Sequence, residues 1–366
     1  MKISAPQMFW LMFIGLSSLS VWMVISGTIE IAKQDAWLSI IIAMLIGMLC
    51  SFVILRLSLL FPNQTIIEYS RTLIGQPLGT IVSILYLLTW CVTDALTLRG
   101  TLDLIHRILF NKTPIYVLVI FIMVLVVYLT FRGGIEGIAR FSEVIGPIIC
   151  IAFFTTLVLD LPSTKWEALL PVITDNGLPE ILKGASSFTS AFGVSFGLLA
   201  LVPFMAVPKK AIISATTGLF FGSVVILLST LIVLATFGPN LAGILLDPYF
   251  AMVRFISLYT FIRNIDSVIV FIVIFGAFTL VSLYFFLTCY GVGQLFRIQS
   301  WKRTMWLLGP IECTIAILPS SDTVSWFWYP QHVWFNYMFP VDILVLPLLL
   351  LLIAKIKLWR KSRPSL

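Results

Sequence analysis

Two carboxyls and two runs of small, hydroxyl-bearing residues lie inside stretches that are otherwise almost wholly apolar. Asp94 follows Trp90-Cys91-Val92-Thr93, and Glu312 follows Gly309-Pro310-Ile311. A carboxylate at membrane depth is expensive, so it is protonated, paired or put to use. Thr93 and Asp94 are therefore candidates for a ligand site, against the plainer reading of a neutral acid bonded to a hydroxyl. Glu312 carries less weight, because nothing in the sequence turns its stretch towards the interior. Arg99 and Asp103, four residues apart, read as a structural ion pair.

The small-residue runs are Gly15-Leu16-Ser17-Ser18-Leu19-Ser20 and Ser186 to Gly197, the second containing Phe192, Gly193 and Ser195. Both sit near the middle of an apolar stretch and predict two discontinuous helices. Non-helical backbone at that depth must line a cavity or lie buried in protein. Where a helix restarts, its free N–H groups favour a carboxylate. Where the preceding half ends, its free carbonyls favour an ammonium. One site offering both ends suits a zwitterion, so a small amino acid is the first-choice ligand. Ser17, Ser18, Ser20 and Ser195 are placed to cap the restarting halves or to bond the ligand. Glycine and serine also serve close helix packing in membranes, which is the competing account of both runs.

The elements that must position these residues are ten apolar stretches near 8–29, 36–61, 80–105, 115–131, 142–161, 185–207, 211–237, 265–290, 301–319 and 337–358. Each is long enough for a hydrocarbon core of ~30 Å. Apolar residues make up 60% of the chain and charged ones 11%, with a mean hydropathy of +1.08, which excludes a soluble globule or a disordered chain. With the N-terminus placed in the cytoplasm, the inner loops and tail hold 15 Lys and Arg against 7 outside, from Lys2 and Arg56 through the cluster Lys355 to Arg363. That bias predicts both termini in the cytoplasm. It also explains the net charge of +7 by an anionic leaflet, with no nucleic acid required. The first stretch lacks a small-residue cleavage site and is read as a span, not a signal peptide. Cys50, Cys91, Cys150, Cys289 and Cys313 fall within spans without CxxC spacing, and read as packing residues.

The connections are modest. Asn63 to Pro77 reads as a short surface or re-entrant element, and Asp247 to Ile256 as an amphipathic helix in the outer interface. Trp326-Phe327-Trp328-Tyr329 with Trp334 and Phe335 reads as an outer aromatic belt. Five spans in each half make the halves enter from opposite sides, as in an inverted repeat: about 8–161 and about 185–358 within one domain, 1–366. The two histidines, His106 and His332, are isolated, and no GxSxG, HExxH or P-loop spacing occurs. The chain reads as no enzyme, with no cofactor and no metal.

Several short motifs follow one another along the chain. They are Lys2-Ile3-Ser4 with Gln7, Gln34-Asp35-Ala36-Trp37, Phe61-Pro62 before Thr65-Ile66-Ile67-Glu68-Tyr69, and Leu73-Ile74-Gly75. Leu98-Arg99 with Asp103 follows, then Gly134 to Arg140 with Glu143 and Pro147, Leu169-Leu170-Pro171-Val172, Ile181 to Gly184, and Pro208-Lys209-Lys210. In this order and spacing they resemble the spore germination permeases, the membrane-spanning B subunits of the GerA-type nutrient germinant receptors of endospore-forming bacteria. These permeases belong to the amino acid–polyamine–organocation superfamily. The resemblance implies an all-α LeuT-like fold of ten transmembrane helices, five plus five, with helices 1 and 6 discontinuous. It implies a sensor in the inner spore membrane, working with A-type and C-type subunits to trigger germination when a nutrient binds. By register, it places the unwound segments at Gly15 to Ser20 and Ala191 to Gly197, and a helix-8 wall at Phe278, Ser282 and Tyr284. Members commonly carry an acidic residue in the sixth-helix stretch, where Ser195 and Phe196 stand here, which argues against ion coupling through that segment.

Three readings compete: a subunit that senses an amino acid without productive transport, a secondary amino-acid transporter, and a scaffold for a channel-forming partner. The missing charge in the sixth span leans towards the first.

Overall fold

The computed structural model describes residues 1–173, 177–255, 266–319, 333–334 and 336–362, and almost all of them are helical. The helices are α1 (Ala5–Met23), α2 (Ile25–Ala32), α3 (Ala36–Leu60), α4 (Ile66–Ile74), α5 (Gln76–Ile108), α6 (Ile115–Asp160), α7 (Gly177–Thr189), α8 (Leu198–Leu201), α9 (Ala211–Ile244), α10 (Pro248–Phe255), α11 (Asp266–Leu295), α12 (Met305–Ile317) and α13 (Leu346–Ser362). A 3₁₀ segment, Ser190–Gly197, joins α7 to α8, and a π-helical segment, Pro340–Val345, leads into α13.

Eight helical stretches among the described residues are long and apolar enough to cross a membrane. The ten expected spans differ from that count for two reasons. The fourth and fifth are both within α6, whose 46 residues would be ~69 Å long as one straight helix. Gly134, at φ 52° and ψ −151°, breaks α6 in two with a conformation that only glycine adopts cheaply. The ninth is α12, of only 13 residues.

The joints of the bundle separate into two ends. At one, the Lys2 amide donates to Glu136 (2.5 Å), and Ile3 pairs with the 204–206 backbone. Gln7, which forms a capping box with Ser4 at the start of α1, also donates to Glu143 (2.9 Å). Arg71 reaches the Leu295 carbonyl there, and Lys357 that of Leu73. At the other end, Asp35 accepts from the Ile173 amide (3.1 Å), Asp160 from Thr236 (2.6 Å), and Arg107 stands 3.6 Å from Asp247. Burial pushes the Asp247 carboxyl up, and Arg107 partly offsets this. The loops expected inside thus share one end, and those expected outside share the other.

The connections differ in detail from expectation. Asn63 to Pro77 holds α4, which opens with a Thr65–Glu68 capping box and buries Ile66, Ile67, Tyr69 and Leu73. Helix α10 is more than an interfacial helix. Tyr249, Met252 and Val253 are fully buried, with the Tyr249 hydroxyl 2.6 Å from Thr156 and its ring against Trp22. Trp326 to Tyr329 and Phe335 lie outside the described residues. Trp334 is no part of an outer belt: it is 8% exposed and turned inwards.

A close helix contact joins α1 to α9 through Gly218 and Gly222, spaced as GxxxG. A Cβ at Gly218 would overlap the Phe9 carbonyl oxygen, and one at Gly222 would stand 3.3 Å from both the Phe13 carbonyl oxygen and Leu16 Cβ. Backbone cannot move aside as a side-chain tip can, so small residues are required here. Gly218→Leu is expected to destabilise the protein by about 2 kcal/mol or more. Gly133→Ala, where nothing lies within 4 Å of the added carbon, should change little. Thermal unfolding in detergent compares the two, and equal stability would contradict this packing.

Candidate functional site

Ser190–Gly197 is rich in glycine and serine, which gain little from α-helical geometry. It tightens into a 3₁₀ helix eight residues long, beyond the usual three or four. So the sixth span departs from α-helix where expected, by overwinding, not by opening. Tyr284 of α11 secures it: its buried hydroxyl donates towards the carbonyls of Val194 (3.1 Å) and Gly193 (3.4 Å). Those are the carbonyls that would otherwise face an ammonium.

The first span departs from expectation. Gly15 to Ser20 is regular helix, and the Ser17 hydroxyl bonds back to the Phe13 carbonyl (2.7 Å). The irregularity comes later, at Val24 between α1 and α2, where the Ser20 carbonyl still accepts the Val24 amide (3.1 Å). Gly15 and Ser18 instead permit close crossing. A Cβ on Gly15 would lie 2.5 Å from Val194 and 3.2 Å from Leu280, and one on Gly276 of α11 would overlap Ser18. Helix α1, the 3₁₀ segment and α11 therefore meet at one point.

Aromatic rings close that crossing. Phe196 packs against Tyr284 (5.2 Å), Trp334 (5.7 Å) and Trp90 (6.0 Å). The Trp334 indole donates to the Ser190 carbonyl (3.3 Å), and Gly193 leaves room for its ring. Gly197 packs on Tyr284 and Leu287. Three buried polar groups of these elements have no hydrogen-bond partner among the described residues, the hydroxyls of Ser18 and Ser195 and the Trp90 indole N–H; the Ser282 hydroxyl is unpartnered too, one turn from Phe278 on another face of α11. An unmet buried polar group costs about 1–3 kcal/mol. Groups of this kind call for a partner beyond the chain itself, whether water, ion or ligand.

Not every candidate joins this group. Phe192 turns to Gly47 of α3 and to Phe188. Phe278 faces Phe141 of α6 (5.2 Å) and lines a narrow apolar crevice with Leu98, Ile122 and Ile274. Ser20 is buried in α1, Ser17 has its bond within the helix, and Thr93 is half-buried one residue from Asp94. Sequence reasoning passed over Trp90 and set Trp334 in an outer belt, because both roles need the tertiary fold. It also passed over Asp342, whose signal was the same as that of Asp94: a lone acid in an apolar stretch. Asp342 accepts from Thr89 (2.8 Å), and its carbonyl accepts from Tyr86 (2.7 Å). Glu312 proves to be interior, 1% exposed and facing Asp94. Among the described residues no group of three His, Cys, Asp or Glu is arranged to hold a metal ion.

Solved structures share this architecture. A nucleobase-cation-symport-1 family transporter in a closed conformation superposes with a TM-score of 0.67 at 13% identity, over 88% of this chain and 74% of that one. A Na⁺-coupled sialic acid symporter gives 0.61 at 11%, over 92% and 79%, and a manganese transporter from Eremococcus coleocola gives 0.62 at 15%, over 98% and 88%. At such identities the likeness shows the fold alone, which is the LeuT-like transporter fold. In sequence, the chain is 25% identical to spore germination protein YndE of Bacillus subtilis (strain 168), over 91% of this chain and 90% of the relative. It is 25% identical to spore germination protein KB of the same organism, over 81% and 79%, and to spore germination protein XB of Bacillus anthracis, over 82% and 83%. The family described as spore germination protein matches residues 2–324, and the chain, a multi-pass membrane protein, belongs to it.

Proposed function

We propose that this chain is the membrane-spanning sensor subunit of a nutrient germinant receptor. In this reading it binds a small amino acid where α1, the 3₁₀ segment, α5 and α11 cross, and signals with A-type and C-type partner subunits in the inner spore membrane. The observation that carries the reading is the pair of unpartnered buried hydroxyls of Ser18 and Ser195, on α1 and on the non-α segment it crosses. A zwitterion would supply donors and acceptors to them, and its ammonium would compete with Tyr284 for the Gly193 and Val194 carbonyls. The two repeats are taken as about 8–161 and 185–358, and both termini as cytoplasmic, from the charge bias. Secondary amino-acid transport is the second reading, favoured by the transporter fold itself. A sensor must bind its ligand better in one state than in another, and a shift from about 1:99 to 99:1 needs roughly 10⁴-fold preference. A transporter must keep both states accessible with ligand bound.

Orientation is tested by impermeant maleimide on intact cells: Ser163→Cys should label and Gln299→Cys should not. Labelling of Gln299→Cys from outside reverses the topology.

The pocket is tested on its hydroxyls. Ser18→Ala and Ser195→Ala remove groups that make no bond among the described residues, so thermal stability should hold or rise. Affinity for the preferred member of a panel of small neutral amino acids should fall about tenfold per lost hydrogen bond, ~1.4 kcal/mol. Unchanged affinity in both variants would place the ligand elsewhere.

In liposomes, the purified chain should bind that amino acid yet accumulate little of it, even under an imposed proton or sodium gradient. Robust gradient-driven uptake would replace the sensor by the transporter.

A further inference from the structure

Away from the serine cluster, α5 and α12 share a polar seam inside the bundle. Arg99 of α5 donates to Asp103 (2.7 Å) and to the carbonyls of Ala316 (3.2 Å) and Ile317 (3.4 Å) at the end of α12. Further along the same seam, Asp94 faces Glu312. Each carboxyl is 1% exposed, and apart from the Cys91 thiol beside Glu312 the four oxygens have no hydrogen-bond donor but each other among the described residues. What stands against each carboxyl is the other, close enough to share a hydrogen bond once a proton lies between them.

The surroundings leave few ways to neutralise two such groups. The titratable side chains acting on the pair or acted on by it are Cys91 on α5, Tyr284 and Cys289 on α11, and Cys313 on α12. Among the described residues no Lys, Arg or His acts on either carboxyl, and the Arg99 guanidinium is committed to Asp103 and the α12 carbonyls. Two adjacent carboxylates without a cation, out of reach of water, would repel each other while each bore a full desolvation penalty. A hard metal cation is held by several oxygens, whereas the titratable neighbours on three sides are thiols, and the Tyr284 hydroxyl already serves the sixth span. One proton between two carboxyls is the familiar solution to this electrostatic problem.

We propose that Asp94 and Glu312 together form an intramembrane proton-binding site, holding a single exchangeable proton that joins α5 to α12. Loss of that proton would set two negative charges across the seam and loosen α12 from α5. This site is independent of the amino-acid reading, because it uses neither the serine hydroxyls nor the 3₁₀ carbonyls.

Infrared spectra of the purified full-length chain test it. The wild type should show a protonated-carboxyl band near neutral pH that is sensitive to deuterium and fades in alkali. The band should be missing from the Asp94→Asn, Glu312→Gln double variant. Asp160 and Asp342 are unchanged in both proteins, so the difference spectrum isolates the pair. If the double variant does not accumulate, Glu312→Gln alone serves, since its amide can donate to Asp94 and remove the need for the proton. A folded state holding one more proton than the unfolded state loses stability as pH rises. The wild-type melting temperature should therefore fall with rising pH more steeply than that of the variant. Superimposable spectra and equal pH dependence would overturn the proposal. So would a band abolished by sodium at constant pH, which would make the site one for a metal cation.

Discussion

Inside a bilayer every backbone N–H and C=O must find a partner within the protein, and this structure is organised around the place where the α-helix gives way. From Ser190 to Gly197 the sixth span winds more tightly, and the resulting geometry is held by side chains from distant spans. Tyr284 serves two carbonyls, Trp334 serves a third, and Phe196 stacks between them. The position of α11 and the turn of chain before α13 are both set by this one requirement. The close approach of α1 follows as well: only Gly15 lets a helix sit against Val194 without displacing it.

Much of the fold was legible because hydropathy and charge act over whole segments. The spans, the two sets of loops and the non-α stretch in the sixth span all follow from composition over ten or more residues. The first span was misread because glycine and serine have two uses in membranes. In α1 they make room for Val194 and for α11, and the Ser17 hydroxyl returns to its own helix. In the sixth span similar residues do allow a change of helix type. Local sequence does not separate the two cases, which depend on the neighbouring helix. Trp334 was misplaced for a related reason: an aromatic near a span end is an interface anchor unless a glycine elsewhere, here Gly193, makes room for it. Glu312 could not be weighted without knowing which way α12 turns.

The motifs that carry the family resemblance turn out to be joints. Ser4 and Gln7 cap α1 and tie it to Glu143; Asp35 holds the Ile173 amide; Thr65 and Glu68 cap α4; Arg99 and Asp103 bind the end of α12. None of them belongs to the serine cluster. Family membership was therefore readable from residues that fix the scaffold, while the residues around the crossing had to be located by the structure. The same division explains why the sequence gives little purchase on ligand identity: the crossing is built from backbone, small hydroxyls and rings with no charged group unique to one side chain.

The glycine contact between α1 and α9 has a mechanical consequence. Helices separated by long side chains slide over one another as rotamers readjust. Helices touching through backbone have no such lubricant, because a shift of about an ångström brings carbonyl oxygen against α-carbon. Gly218 and Gly222 thus weld α1 to α9 into a single lever. Any rearrangement of the chain that moves Gly15 and Ser18 away from the sixth span must carry α9 with them, and its pivots must lie outside the weld.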